Sequence, residues 1–115
     1  MMISCVTGLP GLSFLNYGCC CNSQLKCSGP PVDPIDRCCR SHKRCYEEAV
    51  SDGQCQVFEI YTQYYSWQCF QRQSMAYCSQ HNNICGKALC HCDKIASQCF
   101  ALHVRYFTPG TYCDR

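Results

Sequence analysis

Three things are scarce in this sequence. Charge is the first: Asp, Glu, Lys and Arg make up 16% of the 115 residues, and the formal net charge is +2. That is too little positive charge for a nucleic-acid binder defined by composition. Long apolar runs are the second. No stretch approaches the roughly 20 residues of a membrane span, and with 47% hydrophobic residues the chain is not a disordered one either. A leader is the third. Met1-Met2-Ile3-Ser4-Cys5 has neither the basic start nor the apolar core of a signal peptide. Internal repeats and low-complexity tracts are missing too.

Cysteine is abundant. Sixteen residues, about one in seven, are cysteine, well above the level that marks a disulfide scaffold. The length suits a single domain, 1–115, whose small core depends on cross-links. An even number of cysteines points to an oxidising compartment. A secreted protein is therefore expected, its signal peptide either removed or missing from this sequence. Zinc fits poorly. Cys19-Cys20-Cys21, Cys38-Cys39 and Cys90-His91-Cys92 are too tightly spaced for paired zinc ligands. Eight tyrosines and five phenylalanines also do not suit a metal-storage chain.

Helical periodicity appears twice. Cys38, His42, Cys45 and Ala49 follow the stripe of one buried face from about Asp36 to Ala49. Pro34 and Asp36 suit the start of that helix, and Ser51-Asp52-Gly53 its end. Cys85, Leu89, Cys92, Ala96, Cys99 and His103 form a second stripe. Residues 17–35 read as a loop. The aromatic-rich run Tyr61–Cys69, polar Gln71–Ser74 and Met75–Cys78 read as a short β-hairpin. Phe107–Thr111 reads as a turn leading to Cys113.

Cys38 and Cys45 are two helical turns apart, as are Cys92 and Cys99. If the helices run antiparallel, Cys38 meets Cys99 and Cys45 meets Cys92. His42 then lies between the two rungs, with Asp93 within plausible reach. Such a pair can be a general base with its orienting partner. It can equally be a core histidine bonded to a carboxylate. Arg37, Arg40, Lys43 and Arg44 are either a patch for anionic lipid or an acidic partner, or a solvated helix face. Trp67 and the tyrosines near it suit an interfacial belt or cross-strand packing.

Tyr17-Gly18-Cys19-Cys20-Cys21, the segment Pro31 to Tyr46 containing Asp33, Asp36, Cys38-Cys39 and His42, and Cys90-His91-Cys92-Asp93 through Cys99 together resemble the secreted phospholipase A2 family. Tyr61, Tyr65 and Cys69 extend the match, which runs from about Cys5 to Cys113. The resemblance implies a mainly α, disulfide-rich fold: two antiparallel disulfide-linked helices with a small β-wing. It also implies the pairs Cys5–Cys69, Cys19–Cys113, Cys21–Cys39, Cys38–Cys99, Cys45–Cys92, Cys55–Cys85 and Cys78–Cys90. Cys20 and Cys27 are left over, to bond to each other or to stand as free thiols.

The activity implied is calcium-dependent hydrolysis of the sn-2 acyl ester of glycerophospholipids. His42 would be the general base and Asp93 its orienting partner, with Tyr46 and Tyr65 bonded to that aspartate. Calcium would be held by loop carbonyls and by the aspartate that follows the histidine. Here that residue is Lys43, which offers donors only and cannot ligate the ion. The loop departs as well. Cys21 to Pro31 spans ten positions against the family's eight, its glycines give way to Asn22, Gln24, Leu25 and Lys26, and Cys20 replaces an aromatic residue. Only Met1-Met2-Ile3-Ser4 precede Cys5, so most of the family's first helix is expected to be missing and its acyl channel open. The resulting expectation is a homologue that binds a phospholipid membrane or micelle, or a protein partner, without calcium and with hydrolysis impaired or lost. An active calcium-dependent phospholipase A2 is the alternative.

Overall fold

The computed structural model describes residues 2–24 and 26–113. Met1 and Leu25, both singled out above, lie outside the described residues. Four α-helices are present among them: α1 Met2–Thr7, α2 Pro34–Ser51, α3 Glu59–Thr62 and α4 Ile84–Leu102. A two-stranded antiparallel sheet joins β1 Trp67–Phe70 to β2 Met75–Cys78. The fold is mainly helical, with two long antiparallel helices and a small β-wing.

The two long helices begin where the sequence supplies caps. Asp33 precedes α2, and its carboxylate accepts a hydrogen bond from the Asp36 amide at 2.8 Å. Pro34 takes the first helical position, where a missing N–H costs nothing. Asn83 caps α4 in the same way, accepting from the Gly86 amide at 2.7 Å. The α2 and α4 boundaries lie within two residues of the periodic stripes.

Disulfides Cys38–Cys99 and Cys45–Cys92 clamp α2 to α4, each with Cα atoms 5.7 Å apart. The partner numbers fall as the first numbers rise, so the helices are antiparallel. The other bonds are Cys5–Cys69, Cys19–Cys113, Cys20–Cys27, Cys21–Cys39, Cys55–Cys85 and Cys78–Cys90. No free cysteine is found among the described residues. The largest apolar cluster packs Phe14, Tyr17, Ile35 and Phe100 around buried disulfides. Much of the core is therefore covalent.

The hairpin is shorter than the aromatic run led us to expect. Tyr61 and Thr62 belong to the helical turn α3, residues 63–66 lie outside the sheet, and the first strand begins only at Trp67. Side-chain capture explains this: the Asn82 side chain bonds both the Ser66 amide and the Ser66 carbonyl, at 2.7 and 2.9 Å. The Ser66 carbonyl also accepts from the Ser79 amide at 3.0 Å, so only the Ser66 amide is withdrawn from further pairing. Trp67 packs against the cluster of Met2, Val6, Ala76 and Cys90. At the N-terminus a six-residue helix forms. It is anchored by buried Met2 and Val6 and ended by Gly8, whose φ of +77° favours glycine.

Candidate active site

The two rungs fix the backbones on which the site is built. His42 on α2 and Asp93 on α4 face each other between them, and His42 donates from Nε2 to Asp93 Oδ1 at 2.5 Å. Two phenols complete the shell of that carboxylate. Tyr46 donates to Oδ1 at 2.7 Å, and Tyr65 donates to Oδ2. Burial, reinforced by the Asp93 charge, pushes both tyrosines well above their ordinary pKa. They stay protonated and serve as donors. With Nε2 committed to Asp93, Nδ1 is the ring nitrogen left to accept a proton.

Lys43 follows His42 and is bonded into the loop after Cys21. Its ammonium donates to the Asn22 carbonyl at 3.0 Å, to Asn22 Oδ1 at 3.1 Å and to the Gln24 carbonyl. Burial pushes the amine below the usual lysine range, opposed by the negative charge of Asp36. A cage for calcium needs oxygen donors around an open centre, carboxylates among them. Here loop oxygens converge on an ammonium. Among the described residues, no group of three His, Cys, Asp or Glu side chains could hold a metal ion.

Asp36 holds the same loop from beneath. It is fully buried. It accepts from the amides of Cys19 and Cys20, both at 2.8 Å, and from that of Val32 at 2.9 Å. Gly18 fits only as glycine: its φ is +60°, and a Cβ would lie 2.4 Å from the Asp36 carboxyl carbon.

A cavity of about 530 Å³ opens beside His42. Met2, Ile3, Leu12, Phe14 and Phe100 form its apolar walls, and His42, Lys43, Asp93 and Asn22 lie at its polar end. Leu12 and Leu15 line it yet remain 72% and 60% exposed.

A family model for phospholipase A2 matches residues 1–113. The chain belongs to the phospholipase A2 family. It is 44% identical to the phospholipase A2 of Ovis aries over 94 residues, 80% of this chain and 73% of that one. Against the phospholipase A2 of Bos taurus it is 43% identical over 94 residues, 80% of this chain and 62% of that one. Against the acidic phospholipase A2 homolog textilotoxin D chain of Pseudonaja textilis it is 41% identical over 92 residues, 78% of this chain and 58% of that one. The chain thus spans less than two thirds of the last two relatives.

Within this phospholipase A2 fold the structure brings His42, Tyr46, Tyr65 and Asp93 into one hydrogen-bonded cluster, with Lys43 beside it. Arg37 and Arg44 are exposed, whereas Arg40 is half-buried. Trp67 is part of the cavity lining, while Tyr64, at 93% exposure, is not. Sequence reasoning missed three residues. Asp36 reads from the sequence as a helix-start carboxylate and a motif position, with no hint that it holds the loop amides. Asn22 was read only as a lost glycine. Ser97, buried in the cavity wall, carries no motif. The signal available for Asp36 was its place in the matched segment Pro31 to Tyr46.

Proposed function

We propose that this chain is a secreted, lipid-binding relative of the phospholipases A2 in which calcium-dependent sn-2 ester hydrolysis is impaired or lost. One observation carries this reading: the Lys43 ammonium is bonded to the Asn22 and Gln24 carbonyls, where the resemblance would put the ion. The residues around that position do not fit calcium. The cation would meet a positive charge, and no carboxylate replaces the one that lysine displaced. His42 and Asp93 still form a proton-accepting pair, but without an electrostatic partner for the ester oxygen. Losing such a stabiliser costs about a hundredfold to a thousandfold in rate.

The cavity supports the lipid-binding half. Its walls are apolar and its polar end holds the Lys43 ammonium beside the His42–Asp93 pair, which suits an acyl chain with a polar head. Exposed Leu12 and Leu15 at its lining suit contact with a phospholipid membrane or micelle. Eight disulfides support an extracellular setting. A second reading, an active phospholipase A2, is favoured by the intact His42–Asp93–Tyr46–Tyr65 cluster. Hydrolysis of mixed phospholipid micelles in millimolar calcium and in chelator separates the two. Equal, near-background fatty-acid release in both is expected. Calcium-dependent release of the sn-2 acid would overturn the proposal. In parallel, co-sedimentation with phospholipid vesicles tests binding, and no association with any vesicle would overturn the lipid-binding half.

A further inference from the structure

Away from the His42–Asp93–Tyr65 cluster and the Lys43 loop, the cavity wall is built mainly of apolar side chains, Ile3, Phe14, Ala96 and Phe100 among them, with the Trp67 indole and a single hydroxyl. That hydroxyl belongs to Ser97. The residue is 1% exposed, and its Oγ finds no hydrogen-bond partner among the described residues. Buried hydroxyls are nearly always partnered. A serine within a helix can also turn back onto the carbonyl four residues earlier, here that of Asp93, but Ser97 does not.

Its place on α4 gives it a use. Ser97 follows Asp93 by four residues, so it lies on the same face, about 6 Å further along the helix axis. An acyl chain entering with its carboxyl end at His42 and Lys43 would run past Ser97 early in its length. Phe100 and Phe14, stacked with ring centroids 4.8 Å apart, also line the cavity. A plain acyl chain leaves the hydroxyl unpaired. A chain bearing an oxygen at that depth completes it, and a serine can either donate or accept. As placed, Oγ lies within the wall, and pairing with a ligand requires rotation about χ1 to a staggered position that faces the lumen.

We propose that Ser97 makes this cavity selective for oxygenated acyl chains: fatty acyl groups carrying a hydroxyl, hydroperoxyl or keto oxygen near their carboxyl end. The proposal rests on the lipid-binding reading above and names the ligand class of that same cavity. No bond is made or broken; the discrimination is one hydrogen bond against one orphaned hydroxyl.

The test is displacement of a fluorescent fatty-acid probe by octadecanoic acid and by a positional series of its monohydroxylated forms. At one hydroxyl position the wild-type chain is expected to bind about three- to tenfold more tightly than it binds the plain acid. Ser97→Ala should abolish that preference and bind the plain acid at least as well as wild type does. Equal binding of plain and hydroxylated acids at every position, or a preference that survives Ser97→Ala, would overturn the proposal and leave lipid binding standing. Failure of the wild-type chain to bind the probe or any acid would overturn the lipid-binding reading and this one with it.

Discussion

Replacing Lys43 by methionine removes a charge while keeping the length of the side chain. In the wild-type chain Nζ makes bonds of 3.0 and 3.1 Å to Asn22 and a further bond to the Gln24 carbonyl. A hydrogen bond to a charged group contributes about 1.5–3 kcal/mol. Gln24 is exposed, so water replaces part of what is lost, and the expected net destabilisation is about 1–3 kcal/mol. For a chain of this size that corresponds to a fall in Tm of about 4–12 °C. The same geometry fixes the response to calcium. An ion placed about 4 Å from Nζ would be repelled by about 8 kcal/mol at an effective dielectric near 20, doubling the unit-charge value. The alternative is for Lys43 to leave its three acceptors. Wild-type Tm should therefore not move in millimolar calcium, whereas an ion at a hundred times its Kd would add about 2.7 kcal/mol. Lys43→Asp should be less stable than Lys43→Met without calcium, because a carboxylate would face carbonyl oxygens and Asp36. It should not restore hydrolysis by itself, since the loop differs too. Scanning calorimetry with and without calcium measures all of this. A methionine variant as stable as wild type, or a wild-type Tm that rises with calcium, refutes the reasoning.

Asp36→Ala leaves the buried amides of Cys19, Cys20 and Val32 without their acceptor and should cost about 3–5 kcal/mol, read by denaturant unfolding. Gly18→Ala meets both a positive φ and the Asp36 carboxyl group; about 2 kcal/mol or more of destabilisation is expected in the same assay. Removing the Cys20–Cys27 bond by double substitution to serine frees a short loop and should cost about 2.5 kcal/mol, with the other seven bonds still found by peptide mass mapping. At alkaline pH, Tyr46 and Tyr65 stay protonated in the folded chain, while unfolded phenols ionise near pH 10. The folded state then holds more protons, so the contribution of these two groups is present below pH 10 and declines as pH rises beyond it. Ultraviolet titration should find the Tyr46 and Tyr65 phenols silent until the chain unfolds, with Tyr17, raised by burial and by Asp33, also titrating late; early ionisation of Tyr46 or Tyr65 would contradict the shell around Asp93.

The long helices were legible because cysteine and histidine recur at helical spacing; equal intervals of seven allowed two disulfide rungs in either direction, and the family resemblance implied the antiparallel one. Given that register, Asp93 falls within plausible reach of His42. Hairpin boundaries were less legible, since aromatic alternation says nothing of Asn82 reaching back to Ser66. The loop around Lys43 was half legible. Lysine in the acidic position was plain to see, but the acceptors include the main-chain carbonyls of Asn22 and Gln24, whose direction no side chain encodes. Asp36 shows a related limit. Its three partners are amides drawn from two separate segments, and only the folded chain brings Cys19, Cys20 and Val32 to one carboxylate. Ser97 was invisible for a simpler reason, because a serine on a helix is ordinary until the packing around it is known.

Lys43 also changes what the loop after Cys21 can respond to. A dissolved ion is present or absent according to its concentration outside the protein, and a loop organised by one follows that concentration. The charge at Asn22 and Gln24 is covalently part of α2, so its effective concentration is set by tether length and does not vary with the medium. Dilution cannot deplete it and a chelator cannot extract it. What can remove it is chemistry on the amine itself: acylation of Lys43 would cancel the charge and add bulk among the loop carbonyls, leaving α2, α4 and their two rungs as they are.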